Sequence, residues 1–181
     1  MSTSTVYISL GSNLGDRAQN IARAIQALGA RGIRVTRQSS LYETEPVDVR
    51  GGAWFLNGAI EAETNMRPGQ LMQTLLIIER SLGRQRRRAQ GGAEEPKEPR
   101  TIDMDILLFD SKVVDDPELR IPHPRMAGRK FVLAPLAEIA SGAKHPVLQQ
   151  TIAALLAATP DRAEVRRWEP PKPEGRPDHS T

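Results

Sequence analysis

Asp103-Met104-Asp105 sets two carboxylates two residues apart at the start of an apolar run, Ile106-Leu107-Leu108-Phe109. On a strand alternate side chains share a face, so both acids point the same way with their backbones about 6.5 Å apart. Two carboxylates that close repel unless a cation lies between them. Together they suit a pair of magnesium ions of the kind that clamp a transferring phosphoryl group. A lone D-x-D is more commonly an exposed strand with two solvated acids. Here the apolar continuation places the pair at the mouth of a buried strand, just after an arginine-rich stretch. Residues 84–100 hold Arg84, Arg86, Arg87, Arg88, Lys97 and Arg100 against Glu94, Glu95 and Glu98, a net +3. Arginine's planar fork matches phosphate oxygens, and acids beside phosphate-seeking arginines are what nucleotide chemistry requires.

A second constellation lies in residues 53–63. Phe55 and Asn57 fall on one face of a strand, and Trp54, Leu56 and Ile60 fall on the other, as core against helices. A ring beside an amide can stack on and hydrogen-bond a flat heterocycle; a core phenylalanine with a turn asparagine explains the same residues equally well. Gly11-Ser-Asn-Leu-Gly15-Asp16 lacks the Gly-Lys-Ser/Thr of a Walker loop and reads as a tight turn with a helix cap. His123 stands between two prolines, with Arg129 and Phe131 close behind. His145 and His179 read as structural or solvent-exposed.

The elements that must hold these residues follow from periodicity. Residues 5–11 read as a strand. Asp16 caps a helix bearing Ile21, Ala24, Ile25 and Leu28, with Gly29 as its stop. Residues 33–43 and 53–63 read as extended. Pro68 opens a helix with the stripe Leu71, Leu75, Ile78 and Leu82, closed by Gly83. Residues 84–100 form a long basic loop, expected to be mobile without ligands and to close over phosphates, and 102–109 is a strand. Strand, helix, strand, strand, helix, strand is the ferredoxin-like α+β order, an antiparallel sheet with both helices on one face and the other face open. Helices near 131–139 and 148–158 and a short strand at 163–168 complete a single domain, 1–168. The proline-rich 169–181 reads as a disordered tail.

The 181-residue length suits one domain. The absence of cysteine excludes disulfides, thiolate metal sites and a cysteine nucleophile. No apolar run reaches the roughly 20 residues of a membrane span, and the N-terminus has no secretory pattern. A cytoplasmic protein with no membrane partner is expected.

Taken in order, several segments resemble the 6-hydroxymethyl-7,8-dihydropterin pyrophosphokinases of the folate pathway. They are Ile8-Ser-Leu-Gly-Ser-Asn-Leu14, Ser40-Leu-Tyr-Glu-Thr-Glu-Pro46, Phe55-Leu-Asn57, Glu79 with Gly83-Arg84, Pro99-Arg-Thr-Ile-Asp-Met-Asp-Ile-Leu-Leu108, and Ile121-Pro-His-Pro124 leading to Arg129 and Phe131. The resemblance implies a ferredoxin-like enzyme that moves pyrophosphate from ATP to the pterin's hydroxymethyl oxygen and releases AMP. It implies that Asp103 and Asp105 hold two Mg2+ ions. Phe55 and Phe131 would sandwich the pterin, with Asn57 and the chain at Thr44, Pro46 and Val47 on its polar edge. Arg84 and Arg100 would act on the phosphates, and Glu79, Arg86, Ile106, His123 and Arg129 would lie around the nucleotide. This sequence departs from the family's Arg-Trp-Gly-Pro-Arg with Lys97-Glu-Pro-Arg100, in a longer loop without tryptophan. A non-enzymatic nucleotide- or RNA-binding module on the same fold is the alternative. Only 4% of residues are aromatic, too few for a base-stacking sheet, so no nucleic-acid partner is expected. A monomer acting on two small molecules is the expectation.

Overall fold

Val6, Ile8 and Leu10 are buried along β1 (Ser4–Ser12), while the alternate positions Tyr7 and Ser9 face the other way. The computed structural model describes residues 2–45, 53–83 and 101–173. From β1 the chain enters α1 (Arg17–Ala30), whose N-terminus is capped by the Asp16 carboxylate accepting from the Gln19 N–H at 3.1 Å. Ile21, Ala24 and Leu28 are its buried stripe. The helix runs past Gly29, the expected stop. The left-handed turn falls instead at Gly32 (φ 79°), which delivers Ile33 into the core with its N–H on the Leu28 carbonyl.

The next strands are β2 (Arg34–Gln38), β3 (Tyr42–Thr44) and β4 (Phe55–Thr64). β2 and β3 both pair antiparallel with β4, so the expected single extended segment is split at residues 39–41. At the break the Ser39 hydroxyl accepts the Ala59 N–H at 2.9 Å. The Leu41 side chain lies over Gly58, where a Cβ would meet it at 3.0 Å. Pro68 opens α2 (Pro68–Ser81), and the Gln70 side chain accepts the Arg67 N–H at 2.9 Å. Leu71, Leu75 and Ile78 are buried, and the chain turns at Gly83 with φ 100°. β5 (Asp103–Phe109) completes the sheet on the far side of β1.

A hairpin, β6 (Val114–Asp116) and β7 (Leu119–Ile121), follows, although the sequence reading gave no strands there. A 3-10 turn (Met126–Gly128) leads to α3 (Lys130–Ala140) and then α4 (Ile152–Ala158). α4 begins later than the expected 148, because the Thr151 hydroxyl accepts the Ala154 N–H at 3.2 Å and fixes the cap there. A last strand, β8 (Val165–Arg167), pairs with β3. The order across the sheet is β5-β1-β4-β3-β8, the ferredoxin-like arrangement with one added edge strand.

One core lies between the sheet and α1 and α2. A second core, with Leu107, Leu108, Leu133, Leu136, Ile152 and Leu155, packs α3 and α4 on the opposite face. That face, expected to be open, is therefore partly roofed, and the part left uncovered is a cavity. Leu56 and Ile60 belong to the first core as expected. Trp54 shares their face but stands at its margin, beneath the Arg166 guanidinium at 4.5 Å.

Candidate active site

The pairing register explains why residues distant in sequence meet. Gly11 of β1 lies between Asn57 of β4 and Asp103 of β5, and Ser9 lies between Ala59 and Asp105. These side chains point to the face that carries α3. There Ser9, Gly11, Asn57, Asp103 and Asp105 line a cavity of about 400 Å³ with Thr44, Phe55, His123, Arg125, Arg129 and Phe131. Phe55 enters from the sheet and Phe131 from the first turn of α3, so the two rings share this cavity.

Asn57 is 8% exposed, and its Nδ2 donates to the Thr44 hydroxyl at 2.7 Å. Its Oδ1 lies over Gly11, where a Cβ would stand 2.6 Å away. Glycine is thus required at position 11 by the close approach of an amide. Asp103 and Asp105 face the cavity from either side of Met104, which is buried toward the helices. The β1–β5 register slips between Tyr7 and Ile8, leaving Leu107 as an extra residue. The Leu107 carbonyl accepts the His123 N–H at 3.0 Å, which ties the segment after β7 to the acidic strand.

His123 and Asp105 also line a second, more open groove between α2, β5 and the β6–β7 hairpin, with Leu76, Arg80, Ile106, Leu119 and Arg120. Asp105 therefore stands where the two spaces join, with Asp103 on the cavity side. Burial pushes the His123 pKa down, and Arg129 and Arg125 push the same way, against a smaller opposing pull from Asp103. These influences favour the neutral ring, and its Nδ1 accepts the Arg125 N–H at 3.1 Å, which leaves Nε2 to carry the proton. Burial and Arg125 likewise lower the Arg129 pKa, with Asp105 and Asp103 opposing. Its guanidinium lies 5.5 Å from the centre of the Phe131 ring.

Glu79 is set back from both spaces. It is 1% exposed on α2 and lines neither space. Its carboxylate accepts the Met104 N–H at 2.8 Å, behind the acidic strand, so it fixes the backbone between the two aspartates. Pro46, Val47, Arg84, Arg86, Arg100 and the expected closing loop lie outside the described residues. Arg125 was missed by sequence reasoning. Its signal was the four-residue spacing to Arg129 across a short turn.

Residues 7–141 match the family described as 7,8-dihydro-6-hydroxymethylpterin-pyrophosphokinase (HPPK). The chain belongs to the HPPK family. It is 42% identical over 163 residues to the 2-amino-4-hydroxy-6-hydroxymethyldihydropteridine pyrophosphokinase of Bacillus subtilis (strain 168), covering 90% of this chain and 89% of that one. A protein of the same name from Methylorubrum extorquens is 43% identical over 135 residues, or 74% of this chain and 81% of that one. Among solved structures, wild-type HPPK-DHPS of Plasmodium falciparum with pteroate shares the fold, with a TM-score of 0.66 at 15% identity. That alignment covers 86% of this chain and 44% of the other, so the chain spans less than half of the solved protein.

For this HPPK chain the donor set at the acidic pair bears on the metal. Among the described residues no three His, Asp or Glu side chains converge. Two hard carboxylates leave most coordination positions to water and phosphate, which is how magnesium binds in phosphoryl-transfer sites and is unlike a closed protein cage. The residues present fit a metal that arrives with a nucleotide.

Proposed function

We propose that the protein transfers the terminal pyrophosphate of ATP to the hydroxymethyl oxygen of 6-hydroxymethyl-7,8-dihydropterin in folate biosynthesis, releasing AMP. The observation that carries this reading is the junction. A cavity with two aromatic rings and a buried amide meets a groove beside α2, with Asp105 where they join and Asp103 beside it on the cavity side. The cavity suits a flat heterocycle, which Phe55 and Phe131 stack against while Asn57 and Thr44 meet its polar edge. The groove suits the nucleotide, with Ile106 on its apolar side and the His123 Nε2–H donating to an oxygen. Arg129 faces the phosphates from the cavity side.

The acceptor oxygen forms a bond to the β-phosphorus as the bond from that phosphorus to the α-phosphate oxygen breaks. AMP leaves with the bonding pair, and the hydroxymethyl proton is lost. Little covalent work falls to the protein in such a transfer, so its residues act by positioning and charge. Two Mg2+ ions held by Asp103 and Asp105 would supply neutralisation of the phosphate charge. Arg84, Arg86 and Arg100 join this reading from the sequence.

The working unit in this reading is a monomer with one catalytic domain, 1–168. The RNA-binding alternative needs an open sheet face, and α3 and α4 roof much of it. Among the described residues no helix is long and apolar enough to cross a membrane. Incubation with ATP, Mg2+ and the hydroxymethyl dihydropterin tests the proposal. AMP formed in step with the pyrophosphorylated pterin is expected, and ADP or no nucleotide product would overturn it.

A further inference from the structure

We propose that the C-terminal strand β8 positions the pterin cavity through Arg166, which clamps the reverse side of the wall formed by Thr44 and Phe55. This rests on the function proposed above. The family match ends at residue 141, so β8 lies beyond it.

The argument begins with strand alternation. Thr44 and Phe55 are paired across β3 and β4 and face the cavity. Their chain neighbours Glu43 and Trp54 therefore point to the opposite face of the sheet. There the Glu43 carboxylate receives two guanidinium groups, Arg17 of α1 at 2.6 Å and Arg166 of β8 at 3.0 Å. Arg17 also donates to the Trp54 carbonyl at 2.9 Å, and Arg166 lies over the Trp54 ring at 4.5 Å. Four side chains from α1, β3, β8 and the entry to β4 are thus locked together. They sit one residue behind each cavity-facing group.

The backbone reinforces the lock. β8 runs beside β3 from end to end, with the Trp168 N–H on the Leu41 carbonyl at 2.8 Å and the Glu45 N–H on the Glu164 carbonyl at 3.3 Å. Glu43 keeps its charge in this setting. The Arg17 hydrogen bond is the largest influence and holds its carboxyl below the ordinary range, against burial, with Arg166 adding to the effect. Through Thr44 the clamp reaches Asn57, whose Nδ2 rests on the Thr44 hydroxyl. The metal side of the site, β5 and the segment after β7, has no part in it. The clamp therefore separates the two substrates: it serves the pterin wall and leaves the nucleotide groove alone.

The test uses the full chain with Arg166→Ala, Arg166→Lys and Glu43→Gln. Misplaced positioning groups readily cost tenfold or more, so Arg166→Ala and Glu43→Gln are each expected to raise the pterin KM about tenfold. The ATP KM should stay within about twofold, and Arg166→Lys should fall between, because it keeps the charge but loses the planar fork. Equal changes in both KM values, or a fall in kcat alone, would overturn the proposal. Hydrogen exchange in the ligand-free chain gives a reading independent of activity. Arg166→Ala should speed exchange about tenfold at the amides of 42–44 and 55–57, with β5 unchanged. Unchanged exchange there overturns the clamp whatever the assay shows. A wild-type chain without turnover overturns the proposed function and the pterin assignment with it, and the exchange result alone then decides whether Arg166 braces residues 42–44 and 55–57.

Discussion

Replacing Gly11 with alanine should damage pterin recognition without touching a charged group. A Cβ at position 11 would sit 2.6 Å from the Asn57 Oδ1, whereas ordinary van der Waals contact begins at 3.4 Å. Asn57 cannot simply swing away, since it is 8% exposed and anchored to Thr44 at 2.7 Å. Breaking that buried hydrogen bond costs about 1–3 kcal/mol, and an off-rotamer side chain adds about 0.5–1.5 kcal/mol. A loss of about 2–4 kcal/mol is expected, part of it as lower stability and part as weaker pterin binding. For a chain of this size each kcal/mol lowers Tm by about 2–4 °C. The assay is a double-mutant cycle of Gly11→Ala and Asn57→Ala, read by denaturant titration and by pterin calorimetry. In the Asn57→Ala background the new methyl group meets no amide, so its cost should fall close to zero. Additive losses in the cycle, or unaltered pterin affinity in Gly11→Ala alone, would refute the reasoning.

Asp103→Asn and Asp105→Asn should each cut metal-dependent kcat/KM by about a thousandfold, because losing a ligand removes several kcal/mol of charge stabilisation; steady-state kinetics across a magnesium titration checks this. Phe131→Ala should weaken pterin binding by about 1–3 kcal/mol, as loss of an aromatic stack does, with little change for a non-hydrolysable ATP analogue in calorimetry. His145 is 7% exposed, its pKa is pushed below 6.5 by burial, and its Nδ1 accepts the Val147 and Leu148 N–H groups. The unfolded chain takes up a proton there before the folded one does, so stability should be level above about pH 6.5 and decline as the pH falls below it. His145→Asn offers an acceptor oxygen without titrating, and it should flatten that decline in denaturation curves taken from pH 7 to 5.

The elements legible in the sequence were those fixed by local pattern. Asp103-Met104-Asp105 declared its two faces by alternation, and Asp16 marked the start of α1. The ordered segments from Ile8 to Phe131 carried the family. Features decided by distant partners were not legible. The split between β2 and β3 depends on Gly58 making room for Leu41. Glu79 entered the site only through the family resemblance, and its place behind β5, with its carboxylate accepting the Met104 N–H, depends on tertiary packing. The roof of α3 and α4 over the second face depends on Leu133, Leu136, Ile152 and Leu155 finding Leu107 and Leu108, which no local period encodes. The β6–β7 hairpin has three residues per strand, too few for a period-two signal.

Gly11 pairs with Asn57 on one side and with Asp103 on the other. In the proposed function Asn57 meets the acceptor and Asp103 the donor, and their backbones are thus two strand spacings apart, about 9.5 Å. That interval is set by hydrogen-bonded backbone and no side chain can stretch it. On that reading it would act as a fixed gauge for the arm between the acceptor's ring and its nucleophilic oxygen. An alcohol one carbon longer would fill the same cavity and present its oxygen out of register with the phosphorus. Remodelling the cavity could change which ring is accepted, but the length of the arm is a property of the sheet.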